Sequence, residues 1–304
     1  MTVRFDPTGP YEVEDLDTPF ARPGGLDLLA RIYRPRGEPG PLGAAVYVHG
    51  GGWARFDRTA DPLLCRGLAA SGLVVVAVDF RQAPDYRYPA AGADVAAGVR
   101  YVRAHARRLG VDPARIGFLA CSSGAHLALL HAVRPEAPDH LGTPILRPDG
   151  SPETSDDASA GNARVAFVAA MYPVADPLAR FRYVLSREHE PPPPSGFDAK
   201  RLIAGHRAFF GDEATMDAAN VTRIVAAGQA TALPPVWLAQ PDQDDNVPAE
   251  ITEGFVQAYH RAGGLIERVR FPGARHSFVQ QDSPDTAKCV ALVREFVARQ
   301  LAGG

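Results

Sequence analysis

Short apolar runs alternate along the chain with longer stretches of helical spacing. Six runs have the near-continuous apolar character of parallel strands buried on both faces, and they are residues 44–48, 73–78, 116–120, 165–170, 236–239 and 266–271. Four stretches between or after them have helix-compatible spacing, and they are residues 91–109, 123–133, 251–262 and 287–301. This alternation predicts a mostly parallel sheet with helices on both faces.

Two segments interrupt the alternation. Residues 136–162 are rich in Pro, Asp, Gly and Ser, and they join a helix to a strand, so we expect a mobile loop below the sheet without a catalytic role. Residues 173–233 follow a strand and include a helix-like patch at 199–210. Because open α/β sheets bind ligands at the carboxyl ends of their strands, this second segment is predicted to be a lid within a single domain of residues 1–304.

Residues 116–126 combine a strand, a sharp turn and the start of a helix. A nucleophile elbow holds a serine in such a strained turn and requires small residues two positions before and after it. Ser122 meets this requirement through Ala120 and Gly124, although Gly is usual at the first of these positions. The pattern therefore predicts Ser122 as a nucleophile.

Two neighbours of Ser122 are alternative candidates. Ser123 is flanked at the same offsets by Cys121 and Ala125, which suit the turn less well than Gly124 does. In the simplest alternative, both serines only cap the following helix. Cys121 is a nucleophilic residue type, but a cysteine at such a position is more often a small buried filler.

A glycine run follows the first predicted strand as His49-Gly50-Gly51-Gly52-Trp53. Acyl transfer places negative charge on the carbonyl oxygen, and backbone N–H groups aimed at that oxygen stabilise it. Consecutive glycines allow the close backbone approach that this requires. The run lacks the GxxxxGK[ST] pattern of a phosphate-binding loop, so it predicts an oxyanion hole, with His49 as a structural residue.

Nine histidines are candidates for the general base. His276 is favoured because its loop follows the last predicted strand, at the same edge of the sheet as the elbow. Four others fall on predicted helices, where packing roles are expected, and two fall in the predicted lid, where they could at most touch substrate. These are His105, His126, His131 and His260 on the helices, and His189 and His206 in the lid.

Three aspartates follow the strand at 236–239 and are candidates for the residue that orients the base, namely Asp242, Asp244 and Asp245. We favour Asp244, and the alternative is a solvated acidic turn. The order Ser122, Asp244, His276 is the order of serine, acid and histidine that α/β-hydrolases have.

With these stretches the chain resembles the hormone-sensitive-lipase-like branch of the α/β-hydrolases, a group of bacterial esterases and lipases. The matching stretches are residues 49–53, 79–84, 88–91, 120–124, 240–248 and 271–276. The resemblance implies an α/β-hydrolase fold with a lid insertion after the sixth strand. It also implies oxyanion donors at Gly51, Gly52 and Ser123, the acid at Asp244 and the base at His276.

The chain departs from the family pattern at three places. Ala120 replaces the first elbow glycine, and Gln240-Pro241 replaces the usual His-Gly ahead of the acid. The stretch before the first predicted strand is short, which suggests a reduced N-terminal part of the cap and a more open site.

The resemblance and the predicted site favour a serine carboxylesterase that hydrolyses small or medium acyl esters through an acyl-enzyme. Two alternatives stay open. The same triad could serve an amide or formamide hydrolase, and a less favoured alternative is a non-catalytic, ligand-binding member of the fold.

Composition and charge limit the classes of molecule that we expect this protein to bind. The net charge of −3 gives no basic footprint for nucleic acid, and no apolar run is long enough to span a membrane. Cys65, Cys121 and Cys289 form no CxxC pair, and no secretory signal is recognised, so we expect a cytoplasmic protein. Without an HExxH or clustered Cys/His pattern we predict no metal and no cofactor. The expected partner is a small-molecule ester, with a homodimer as a possibility.

Overall fold

One eight-stranded sheet forms the centre of the molecule in a computed structural model that describes residues 4–38, 40–147, 149–153, 162–191, 193 and 196–302. The strands are β1 (Val13–Ala21), β2 (Leu28–Pro35), β3 (Leu42–Val48), β4 (Leu73–Val78), β5 (Val111–Cys121), β6 (Val168–Met171), β7 (Val236–Pro241) and β8 (Ile266–Phe271). Their spatial order is β1-β2-β4-β3-β5-β6-β7-β8. Strand β2 runs antiparallel to β1 and β4, and all other pairs are parallel.

The six predicted strands correspond to β3 through β8, so the predicted fold class is confirmed. Two bounds were wrong by several residues, because β5 begins at Val111 and β6 begins at Val168. Strands β1 and β2 were not predicted at all. They form the antiparallel edge of the sheet, where charged side chains pair across one face, as Arg31 does with Asp17 at 2.7 Å. A strand with one solvated face lacks the apolar run by which the buried strands were identified.

The helices are α1 (Pro62–Ala69), α2 (Ala90–Ala104), α3 (Ala106–Leu109), α4 (Ser122–Val133), α5 (Pro177–Ser186), α6 (Ala199–Phe210), α7 (Glu213–Ala218), α8 (Val221–Ala226), α9 (Ala249–Arg261) and α10 (Pro284–Ala302). The stretch predicted as one helix over 91–109 is divided at His105, where the backbone leaves helical dihedrals. The helix predicted from 123 begins at Ser122, and the patch predicted at 199–210 coincides with α6.

The sheet separates two layers of buried side chains. Along β3, Val46 points into one layer and Tyr47 into the other, because successive strand residues face opposite sides. The first layer is covered by α2, α4 and α9, and the second by α1 and α10. The carboxyl ends of the parallel strands are therefore held in fixed positions by packing on both sides.

The segment between β6 and β7 contains α5, α6, α7 and α8. Each helix begins at a capping side chain that accepts a hydrogen bond from the backbone three residues later. The caps are Asp176, Asp198, Asp212 and Asn220. These caps explain why a segment with few strand signals forms four short helices.

The loop predicted over 136–162 is only partly described, since residues 148 and 154–161 lie outside the described residues. Ile145 is buried and bridges to Ala21 at the end of β1, so this part of the loop is attached to the sheet. Among the helices that the structure describes, none combines the length and apolar character needed to cross a membrane.

Candidate active site

Ser122 lies at the junction of β5 and α4 in a strained turn. Its φ angle is +52°, a region that non-glycine residues rarely occupy and that recurs at functional sites. A Cβ atom at Gly124 would lie 2.2 Å from the carbonyl oxygen of His49, so only glycine fits there. Ala120 is fully buried beside Val48 of β3 and Ala170 of β6. The turn therefore has the form of a nucleophile elbow, with its first glycine replaced where small neighbours leave room for a methyl group.

A chain of hydrogen bonds joins the three residues predicted as a triad. The Ser122 Oγ lies 2.8 Å from His276 Nε2, and His276 Nδ1 lies 2.8 Å from Asp244 Oδ2. A carboxylate only accepts hydrogen bonds, so the neutral imidazole carries its proton on Nδ1 and accepts from the serine through Nε2. Exposed fractions of 12% for the His276 side chain and 3% for Asp244 keep this chain largely out of water.

The second carboxylate oxygen of Asp244 fixes the acid in place. Oδ1 accepts hydrogen bonds from the backbone N–H groups of Asn246 and Val247, at 2.8 and 2.9 Å. Asp242 instead forms an ion pair with Arg270 at the edge of the sheet. Of the three candidate aspartates, Asp244 is therefore the one that contacts His276, despite the unusual Gln-Pro pair ahead of it.

Tyr172 was missed by sequence analysis. Its ring lies 4.8 Å from the imidazole of His276, centre to centre, and its φ angle is +40°. Tyr172 directly follows β6, and that position at a carboxyl strand end is the only sequence signal it carries. The ring packs against the imidazole and limits its movement.

The glycine run lies next to the elbow. Gly51 and Gly52 have φ angles of +107° and +67°, which favour glycine. The N–H of Gly51 donates to no acceptor within the described residues. The N–H of Ser123 lies in the first turn of α4, where backbone N–H groups have no partner within the helix.

Gly52 differs from Gly51 in this respect. Its N–H donates to the Ser123 Oγ at 2.8 Å, and the N–H of Trp53 lies 3.3 Å from the same oxygen. The Ser123 hydroxyl therefore ties the glycine run to the start of α4. Of the three predicted oxyanion donors, Gly51 and Ser123 present open N–H groups, and Gly52 is engaged by a side chain.

Among the described residues, no other candidate histidine is hydrogen-bonded to the hydroxyl of Ser122. Burial lowers the pKa of His49 and of His126 to about 4 and that of His131 to about 3, so all three are neutral. His49 bonds to the carbonyl of Gly50 and stacks on Phe80 at 4.3 Å. Of the other predicted helix and lid histidines, His105 bonds to Leu146, His260 bonds to Ile266 and His206 packs on Trp53, whereas His189 is exposed.

Cys121 lies on the last position of β5 and is 1% exposed. Burial raises the pKa of its thiol well above the ordinary value, so the reactive thiolate is disfavoured. Within the described part of the chain, no three His, Cys, Asp or Glu side chains are placed to hold a metal ion.

Two contacts attach the helical segment to the site. The indole of Trp53 stacks on Phe209 of α6 at 5.3 Å, so α6 lies directly over the end of the glycine run. Arg180 of α5 is 2% exposed, and its guanidinium donates to both the side chain and the backbone of Asn246 in the acid loop. Sequence analysis named Trp53 only as the end of the glycine run and did not single out Arg180, because their partners lie over 60 residues away.

Comparison with known proteins gives the following matches. The BD-FAE family model matches residues 30–259. The ethyl acetate hydrolase of Pseudomonas putida is 28% identical over 85% of this chain and 74% of that protein. The versiconal hemiacetal acetate esterase of Dothistroma septosporum is 37% identical over 42% of this chain, and the match covers only 39% of that protein. The native structure of the esterase Est2 from Thermogutta terrifontis is 26% identical, covers 98% of this chain and 95% of its own, and superposes with a TM-score of 0.68.

Proposed function

Because the chain belongs to the BD-FAE family and its relatives are esterases of the hormone-sensitive-lipase-like α/β-hydrolase type, we propose that it is a serine carboxylesterase. It hydrolyses small or medium acyl esters through an acyl-enzyme. The observation that carries this proposal is the continuous hydrogen-bonded chain from the Ser122 hydroxyl through His276 to Asp244, with 2.8 Å at each step.

In the proposed reaction, His276 Nε2 removes the proton of Ser122 as the serine oxygen attacks the ester carbonyl. Asp244 keeps the imidazole in the required tautomer and stabilises its cation. The protonated His276 then gives its proton to the leaving alcohol. Water, activated by the same imidazole, hydrolyses the acyl-enzyme and restores Ser122.

The N–H groups of Gly51 and Ser123 are proposed to hold the oxyanion, supported by their lack of competing acceptors. We assign Gly52 the third donor, which requires its N–H to turn from the Ser123 Oγ toward the substrate oxygen. The segment 173–233 is proposed to be the lid. Its contacts with Trp53 and Asn246 support this role, since they place α5 and α6 against the glycine run and the acid loop.

Two further proposals concern the protein in solution. A cytoplasmic location is supported by three buried cysteines that form no disulfide. A homodimer is supported by strand β8, which lies at the sheet edge and follows Leu265, a residue that is 71% exposed. Sedimentation velocity tests the dimer, and a monomer at all concentrations would contradict it.

Replacing Ser122 by alanine tests the enzymatic proposal. With p-nitrophenyl acetate, we expect Ser122→Ala to lower kcat by about ten-thousand-fold or more, as in comparable triads. Ser186→Ala, at an exposed serine of α5, is the matched control and should keep the wild-type kcat. Near wild-type hydrolysis by Ser122→Ala would exclude Ser122 as the nucleophile. An arylformamide assayed in parallel tests amide hydrolysis, and a clear preference for it would replace the esterase assignment.

A further inference from the structure

A small cavity of about 50 Å³ lies beside the glycine run. Gly51 and Gly52 form one wall, and three arginines, Arg55, Arg180 and Arg201, contribute to the rest. A volume of this size holds a few water molecules, or one compact polar group. The cavity therefore places three arginine residues next to the backbone that is proposed to hold the oxyanion.

Arg180 is buried without a complementary charge bonded to it. It forms no ion pair with any described carboxylate, and Nη1 has no acceptor among the described residues. Its two hydrogen bonds, from Nε and Nη2, go to the uncharged Asn246. Burial lowers the pKa of Arg180 to about 9, and the nearby charge of Asp244 opposes this shift only in part. A buried cation of this kind is destabilising unless something negative pairs with it.

Arg201 and Arg55 add to the positive charge. Arg201 and Leu202 stand one turn before Gly205 on the same face of α6, and Gly205 packs close to the carbonyl of Gly52. The carboxylate of Asp198 is 3.9 Å from Arg201 and is half exposed, so it neutralises Arg201 only weakly. Burial lowers the pKa of Arg201, and the neighbouring Arg55 lowers it further.

Among the described residues, the carboxylates whose charge acts on Arg180 and Arg201 already have other hydrogen-bond partners. Asp244 bonds to His276 and to two backbone N–H groups, and Asp198 caps α6 through the N–H of Arg201. Arg201 and Arg55 thus line the cavity with little opposing charge, and the exposed Arg55 also places its guanidinium over the ring of Phe56 at 5.2 Å. Guanidinium groups prefer planar, two-pronged acceptors, of which a carboxylate is the best match.

On the basis of the esterase function proposed above, we propose that the natural substrate is an anionic ester. It carries a carboxylate, on either its acyl or its alcohol part, which binds Arg201 and Arg55 above the buried Arg180 while the ester carbonyl lies at the glycine run. The cavity thus makes the site selective for carboxylate-bearing esters over neutral ones of the same size.

Two matched substrate pairs test this proposal, with acid release followed in a pH-stat. The acyl-side pair is monoethyl glutarate and its primary amide, and the alcohol-side pair is 3-acetoxypropanoate and its primary amide. Each pair differs in charge and hardly in shape. In at least one pair we expect kcat/KM to be roughly tenfold or more higher for the carboxylate, the size of one charge-assisted hydrogen bond. A ratio near one in both pairs would overturn the proposal.

Variants assign the preference to the cavity. Arg201→Gln and Arg55→Gln should each lower the ratio of carboxylate to amide, whereas Arg182→Gln should leave it unchanged, since Arg182 pairs with the exposed Glu213 on the outer side of α5. Arg201 and Arg55 are less buried than Arg180, so their variants test the proposal even if Arg180→Gln fails to fold. An unchanged ratio in Arg201→Gln would overturn the assignment. Hydrolysis of only the neutral esters, those that carry the primary amide, would overturn the proposed preference but agree with the esterase function. If no ester of either pair were hydrolysed, the esterase function itself would be refuted.

Discussion

Substitution of Gly124 by alanine isolates the steric requirement of the elbow. The φ angle of Gly124 is not in the left-handed region, so alanine meets no dihedral penalty there. The added Cβ, however, would lie 2.2 Å from the carbonyl oxygen of His49 and 2.4 Å from that of Val48. Both oxygens belong to the backbone that leads into the glycine run, so no side-chain rotation can relieve the contact.

The size of the effect follows from these distances. To restore a separation of about 3.0 Å, the His49 oxygen or the start of α4 must move by about 0.8 Å. Overpacking of this kind costs roughly 1–3 kcal/mol in the free energy of unfolding. Because α4 carries Ser122 and the glycine run carries the proposed oxyanion donors, the shift changes their separation. A misplacement of about 1 Å lowers kcat by roughly a hundredfold.

The assay separates stability from chemistry. Urea unfolding followed by circular dichroism gives the free energy of unfolding, and titration with a fluorophosphonate counts active sites, so that kcat refers to folded enzyme. Gly254→Ala is the matched control, because Gly254 lies inside α9 with no atom within 4 Å of an added Cβ. That control should gain about 0.5–1 kcal/mol and keep its kcat.

One result would refute this reasoning. If Gly124→Ala unfolds at the wild-type urea concentration and retains the wild-type kcat per active site, α4 and β3 are not held as closely as the structure shows. A loss of stability with an unchanged kcat would refute only the link from the contact to the catalytic geometry.

Two other perturbations have defined outcomes. Asp244→Asn should lower kcat by about ten-thousand-fold, as in other Ser-His-Asp triads, because it favours the wrong imidazole tautomer. The control Asp242→Asn should keep the wild-type kcat, because Asp242 pairs with Arg270 instead. Equal losses in the two variants would contradict the assignment of Asp244. The free energy of unfolding should fall as the pH is lowered from 6.5 toward 4. In the folded protein His49 and His126 have a pKa of about 4, so over this range they bind a proton only on unfolding. Each histidine then lowers the free energy of unfolding by about 1.4 kcal/mol per pH unit. Urea titrations across this range measure the fall, and a flat profile would contradict it.

The order and character of the parallel strands could be predicted from sequence, because strands buried on both faces leave uninterrupted apolar runs. The elbow, the glycine run and the loops of Asp244 and His276 were found for a related reason. Each lies immediately after such a strand, so the carboxyl edge that they share follows from the fold. The structure places the three proposed triad residues in contact at that edge.

Other features depend on contacts between distant segments and could not be predicted. Strands β1 and β2 mix polar with apolar residues, and their pairing at the sheet edge is set by partners rather than by local pattern. The hydroxyl oxygen of Ser123 accepts a hydrogen bond from the N–H of Gly52, and these residues are 71 positions apart. In the same way, nothing near Arg180 in the sequence indicates that it is buried beside Asn246.

The central claim is that the oxygen of Ser122 is the nucleophile, activated by His276. The most direct measurement is intact and peptide mass spectrometry after brief exposure to a fluorophosphonate, with His276→Ala as the comparison. We predict one adduct per chain, located on Ser122, and a rate of labelling at least about a hundredfold slower in His276→Ala. An adduct on Ser123 or Cys121, or labelling of Ser122 that is equally fast without the imidazole, would contradict the claim.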